Sequence, residues 1–197
     1  SGETLRVVFS GRETIFRGVK KLVAYGDGGD DHIYVKDGVT SDAEFHGGDG
    51  NDVFIYDGTG QATLYGDAGD DYLATGDAST TAFLYGGDGM DYIIHNGKGR
   101  AVIDGGEGGD KIYGGAAADL IHGGGGDDDI DGRGGIDQIY GDAGNDLIHW
   151  DYANLVLSTV DGGTGTDILE IVGQKGVDNF YVTSLGGSKF KVANFAS

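Results

Sequence analysis

The chain has no cysteine and no proline among its 197 residues. Without cysteine there is no disulfide framework and no thiol chemistry, so a secreted fold of this sequence would need metal as its staple. The absence of proline and of any three-residue period excludes collagen, although the 42 glycines are about three times the usual share of roughly 7%. Basic residues are scarce: 13 Lys and Arg stand against 33 Asp and Glu, for a net charge of −20 and a pI near 4.2. Such a surface repels nucleic acid and anionic membrane and attracts cations. No apolar run approaches the ~20 residues of a membrane span, and no signal peptide is evident. There is no His-Glu-x-x-His motif and no G-x-S-x-G elbow. Asp57, Asp91 and Asp151 stand beside aromatic residues without a paired acid, so the chain is expected not to be an enzyme.

What is present is a period. From Gly105 to His149 the sequence divides without insertion into five nine-residue units: GGEGGDKIY, GGAAADLIH, GGGGDDDID, GRGGIDQIY and GDAGNDLIH. Each opens on glycine, has aspartate at its sixth place (Asp110, Asp119, Asp128, Asp137, Asp146) and isoleucine at its eighth (Ile112, Ile121, Ile130, Ile139, Ile148). A fixed period decides architecture before any residue propensity does. An acidic, glycine-rich chain is often disordered. Here the carboxylates fall in register and not in runs, which favours ion sites over a solvating tail.

The consensus G-G-x-G-x-D-x-U-x, with U a large apolar residue, resembles the RTX repeats, the hemolysin-type calcium-binding nonapeptides. The resemblance implies an all-β, right-handed parallel β-roll, or β-helix solenoid, in which two units make one turn. The first six residues of a unit would form a calcium-binding turn and the last three a short strand. The chemistry is consistent on its own terms. Calcium takes six to eight oxygen ligands, from carboxylates and backbone carbonyls. Glycine lets the chain bring its carbonyls to one point, aspartate supplies charge, and the apolar residue two places later alternates inward.

The pattern extends both ways. Units begin at Gly26, Gly47, Gly66 and Gly86, with sixth-place Asp31, Asp52, Asp71 and Asp91 and eighth-place Ile33, Phe54, Leu73 and Ile93. Segments between them keep an inward apolar residue (Phe45, Leu64, Leu84, Ile103) but lose the aspartate turn, so one edge of the roll is expected to carry ion turns and the other ordinary turns until Gly105. A further unit at Gly162 supplies Asp167 and Leu169; one at Gly173 is weak and carries Lys175 in its turn.

Stacking one full turn apart pairs Asp31 with Asp52, Asp52 with Asp71, Asp71 with Asp91, Asp91 with Asp110, Asp110 with Asp128, Asp128 with Asp146, and Asp146 with Asp167 along the first edge. On the second edge it pairs Asp119 with Asp137, for about eight ions at most. The weakest turns are those with Ala117 and Arg133. Backbone ligands are expected at the first and third places: Gly26 and Gly28, Gly47 and Asp49, Gly66 and Ala68, Gly86 and Asp88, Gly105 and Glu107, Gly123 and Gly125, Gly141 and Ala143. Other aspartates (Asp27, Asp30, Asp49, Asp67, Asp70, Asp127, Asp129, Asp142) are expected to be exposed charges that concentrate cations. Tyr25, Tyr65, Tyr85, Tyr113 and Tyr140 precede glycine turns and are expected to stack as packing.

Residues 1–25 are expected to be capping strands, 26–181 the roll, and 182–197 closing strands or a hairpin at Gly186-Gly187. The basic cluster Arg6, Arg12, Arg17, Lys20 and Lys21 reads as a solvated face of that cap. The chain starts at Ser1 without methionine and is expected to be a piece of something longer. The reading overall is a calcium-binding structural module of a larger secreted or cell-surface bacterial protein, exported by type I secretion and folded by extracellular calcium. Alternatives are the C-terminal accessory region of a secreted protease, lipase or polysaccharide epimerase, and an adhesin segment binding glycan or protein. Neighbouring modules of the same chain are possible partners; nucleic acid binding and membrane insertion are not expected.

Overall fold

The structure, a computed structural model, describes residues 4–9, 12–77, 81–151 and 159–172. The weak unit at Gly173 and the expected closing hairpin lie outside them. Two parallel sheets of eight strands face each other. The first holds β3 (Lys21–Tyr25), β5 (Asp42–Asp49), β7 (Ala62–Ala68), β9 (Thr81–Asp88), β11 (Arg100–Glu107), β13 (Leu120–Gly125), β15 (Gln138–Ala143) and β17 (Thr159–Asp161). The second holds β4 (His32–Val35), β6 (Val53–Tyr56), β8 (Tyr72–Thr75), β10 (Tyr92–His95), β12 (Lys111–Tyr113), β14 (Asp129–Asp131), β16 (Leu147–Asp151) and β18 (Ile168–Val172). The chain alternates between sheets, so each strand pairs with the strand two places on and each pass around the coil makes one rung. Before the coil, β1 (Thr4–Phe9) and β2 (Arg12–Arg17) form a separate antiparallel pair. Of the expected N-terminal cap, only this pair stands outside the long sheets; β3 is already a rung, parallel to β5.

Register follows the period. Ile103 pairs with Ile121, Ile121 with Ile139, Ile112 with Ile130 and Ile130 with Ile148. A slip of one residue would turn these side chains outward, so the burial pattern locks the pairing. The interior is one file of such residues: Phe45, Phe54, Leu64, Leu73, Leu84, Ile93, Ile103, Ile112, Ile121, Ile130, Ile139 and Ile148 are each at most 2% exposed. Ala43, Ala62, Ala82 and Ala101 add a second inward position per rung in the longer first-sheet strands. Each rung therefore buries about two large side chains, worth roughly 1.5–3 kcal/mol apiece. The Ile121→Ala variant is expected to lose about 2–5 kcal/mol in saturating calcium, because close-packed rungs above and below leave the cavity little room to collapse. Denaturant unfolding at fixed calcium measures it; a loss under about 1 kcal/mol would mean the file is loosely packed.

Candidate metal centre

The glycine-rich turns of the first edge lead from the first sheet into the second. Their second place lies in the left-handed region whether glycine fills it (Gly48, Gly87, Gly106, Gly124, Gly163) or aspartate does (Asp27, Asp67, Asp142). The turn then aims the sixth-place carboxyl inward, and Asp52, Asp71, Asp91, Asp110, Asp128, Asp146 and Asp167 are only 0–6% exposed. One carboxyl oxygen, Oδ1, accepts the backbone N–H of the sixth-place aspartate one rung earlier. This joins Asp31 to Asp52, Asp52 to Asp71, Asp71 to Asp91, Asp91 to Asp110, Asp110 to Asp128, Asp128 to Asp146 and Asp146 to Asp167 at 2.7–3.2 Å. All seven first-edge pairs named from spacing are thus brought together.

The other oxygen has no partner. Oδ2 of each of the seven aspartates from Asp52 to Asp167 is buried without a hydrogen bond. A buried unpaired carboxylate oxygen costs several kcal/mol unless a proton or a cation meets it. Burial accordingly pushes the carboxyls of Asp71, Asp110 and Asp128 up to about 7 and that of Asp91 up to about 6, against the opposing pull of the backbone N–H from the rung before. Asp52 and Asp146 shift upward for the same reason.

The first-place glycines show what these oxygens face. A methyl group on Gly26, Gly47, Gly66, Gly86, Gly105, Gly123 or Gly141 would collide both with Oδ2 of that unit's own aspartate and with the first-place carbonyl of the next rung. None of the seven has a positive φ, so glycine is needed here for space and not for backbone freedom. Each such cradle joins one carboxylate oxygen to one carbonyl oxygen, a hard all-oxygen donor set that suits calcium or another hard cation. Among the described residues no three His, Cys, Asp or Glu side chains converge on one point; donors arrive one carboxylate per rung, with backbone carbonyls between them.

Third-place carbonyls behave differently from first-place ones. Those of Asp49, Ala68, Asp88, Glu107, Gly125 and Ala143 accept the N–H of the fourth-place glycine one rung earlier at 2.5–2.8 Å. They hold the turns together, while the first-place carbonyls face the carboxylates. The Gly162 carbonyl, absent from the residues picked by spacing, completes the last cradle above Gly141.

Several aspartates expected to be exposed charges also have structural partners, and Asp30, Asp70 and Asp127 are exposed. Fifth-place side chains form a second ladder running opposite to the first: Oδ1 of Asp30, Asn51, Asp70, Asp127 and Asn145 each accepts the N–H of the fifth residue one rung later, at 2.7–3.0 Å. Recurrence of Asp or Asn at that place was the available signal. Asp129 meets Lys111 at 3.0 Å and His149 at 2.8 Å, and Asp142 meets His122 at 2.8 Å. Ring stacking differs from the expected all-tyrosine row: His46 sits between Tyr25 and Tyr65, Tyr85 follows, and His122 stacks on Tyr140. Tyr113 belongs to the other sheet, tilted against Tyr92.

The raised carboxyls set a pH dependence. A carboxyl whose pKa is higher in the fold than in the unfolded chain binds its proton more tightly when folded. Its contribution is full below about pH 4 and is lost as pH rises through the folded value, here about 6 to 7. The metal-stripped chain is therefore expected to keep more β-structure near pH 4.5 than at pH 7.5. Calcium affinity should move the other way, because the proton competes for the same oxygens. Far-ultraviolet circular dichroism of the stripped chain at the two pH values checks the first statement, and a stronger β signal at pH 7.5 would refute it.

A family model described as the RTX calcium-binding nonapeptide repeat matches the chain in four copies, at residues 23–39, 95–130, 104–139 and 122–149. No curated protein matches the chain as a relative.

Proposed function

From the premise that this chain belongs to the RTX calcium-binding repeat family, we propose that it is a structural module of a larger secreted protein, wound into its coil by calcium outside the cell. The observation that carries this reading is the file of seven buried carboxylate oxygens without partners. Asp31, Asp52, Asp71, Asp91, Asp110, Asp128, Asp146 and Asp167 would supply carboxylate ligands, and the first-place carbonyls from Gly47 to Gly162 would supply backbone ligands. Bound calcium would neutralise the carboxylates and tie each rung to the next. The chain's own contribution is to hold the oxygens: the Asp-to-Asp N–H bonds fix one carboxyl oxygen so that the other stays aimed into the cradle.

Affinities of extracellular calcium modules lie at ~10⁻⁴ to 10⁻³ M. At such affinities cytosolic calcium leaves the chain unwound and exportable, and millimolar calcium outside winds it, so that binding energy becomes folding energy. Calorimetric titration of the metal-stripped chain with calcium, and separately with magnesium, tests the reading. Several calcium ions per chain with a coincident gain of β-structure are expected. Magnesium demands near-octahedral geometry and keeps its waters, so it should do neither at equal concentration. No calcium heat and no structural gain would refute the proposal.

A further inference from the structure

We propose that, among the described residues, calcium lines only one edge of this coil, and that the two opposite-edge turns that carry the nonapeptide pattern are closed by the chain's own groups. The inference rests on the reading that first-edge carboxylates bind calcium, and it departs from the expectation that Asp119 and Asp137 hold an ion. Among the described residues, every buried carboxyl oxygen without a partner lies on the first edge.

Asp119 has both oxygens engaged. Its Oδ1 accepts the N–H of Ala101 at 2.6 Å, and its Oδ2 accepts the N–H of Gly115, in its own turn, at 2.8 Å. Turning toward Gly115 draws that oxygen out of the cradle. A methyl on Gly114 would find it at 3.1 Å, whereas every first-edge glycine from Gly26 to Gly141 has its carboxylate oxygen at 2.5 Å or nearer. Burial raises the Asp119 carboxyl above its ordinary value, and the Ala101 and Gly115 N–H groups, then His95 and Arg100, pull against that rise. Asp137 accepts the Asp119 N–H at 3.0 Å through Oδ1, and its Oδ2 is not among the seven buried carboxyl oxygens that lack a partner. A methyl on Gly132 would meet Oδ2 of Asp137 at 2.7 Å and the Ile139 side chain at 2.9 Å.

The space between rungs is also filled. The fully buried His95 ring lies directly beneath the turn of Asp119, where a methyl on Gly115 would come within 2.5 Å of it. Its Nε2–H donates to the Gly99 carbonyl at 3.0 Å, and Thr75 bonds its Nδ1 at 2.6 Å. Two rungs earlier, buried Tyr56 does the same work, with its hydroxyl donating to the Ser41 carbonyl and accepting from Gly60 N–H. In the next turn Arg133 holds a left-handed conformation, with its guanidinium over the Tyr113 ring at 4.7 Å and bonded to Asn96 at 3.0 Å. Imidazole and phenol thus fill buried positions on this edge, and the guanidinium covers the Tyr113 ring.

Calcium anomalous scattering from crystals of the wild-type chain grown in calcium tests the assignment directly. Peaks beside the Asp52-to-Asp167 file and none between Asp119 and Asp137 are expected; a peak between those two would overturn the inference while leaving the calcium reading intact. No peak on either edge would sink both. Ion counting by equilibrium dialysis provides a second test. The D119N/D137N double variant should bind as many ions as wild type, and D110N fewer; loss of an ion from a folded double variant would count against the proposal.

Discussion

Withdrawing calcium at about pH 7.5 is expected to abolish most of the far-ultraviolet β signal of this chain, and returning it in excess to restore the signal. Fixing one residue's backbone costs about 1–2 kcal/mol, and each rung sets some twenty residues against two large buried side chains. Eight aspartates then line one edge at the rung spacing of about 4.8 Å. Burial pushes the carboxyls of Asp71, Asp110 and Asp128 up to about 7, so at pH 7.5 the fold carries carboxylate charge that it disfavours, with seven of the eight holding an oxygen that no donor meets. The backbone ladders remain available to the calcium-free chain, but each adds only about 1 kcal/mol net per bond. Circular dichroism with and without chelator measures the effect. A full β spectrum in chelator at that pH would show that the apolar file suffices and would end the idea of a folding switch.

The Gly105→Ala variant is expected to raise the calcium concentration needed for half-folding by about tenfold, equivalent to ~1.4 kcal/mol, and to lower the ion count by at least one. Gly105 does not sit in the left-handed region, so alanine meets no backbone objection. Its methyl would instead occupy the cradle between the Asp110 carboxylate and the Gly123 carbonyl. Gly28→Ala is the matched control, because a methyl there meets only the Asp49 backbone and Cβ at 3.7 Å and 3.9 Å, ordinary contact. A calcium titration of the two variants side by side separates filling of the cradle from mere loss of a glycine. Equal midpoints for Gly105→Ala and wild type would mean that no ion uses that space.

The nine-residue spacing made much of this molecule legible. Sixth-place aspartates and eighth-place apolar residues named the buried carboxylates and the interior file, because side-chain direction in a regular coil depends only on position within the period. Each first-edge pair appears because residues one turn apart must stack. The third-place carbonyls were not separable from the first-place ones by sequence, since backbone atoms are the same at every residue and only the path of the turn decides which way each carbonyl points. The fifth-place ladder was missed because acceptor side chains were read as charge.

By itself, then, the sequence determined the period, the all-β coil and the line of acidic residues along it, since these follow from local repetition and burial. Only the tertiary structure decided that the two edges differ beyond Gly105 as well, where both carry the nine-residue pattern. Asp110 and Asp119 occupy the same place in consecutive units, yet one leaves Oδ2 unpaired and the other has both oxygens filled by N–H donors. Both accept an N–H of the rung before through Oδ1; the difference is the Gly115 N–H in Asp119's own turn, a turn that lies against the His95 ring of the rung before. A carboxylate's fate is set by which donors surround it in space, and nine residues of local sequence do not contain that information.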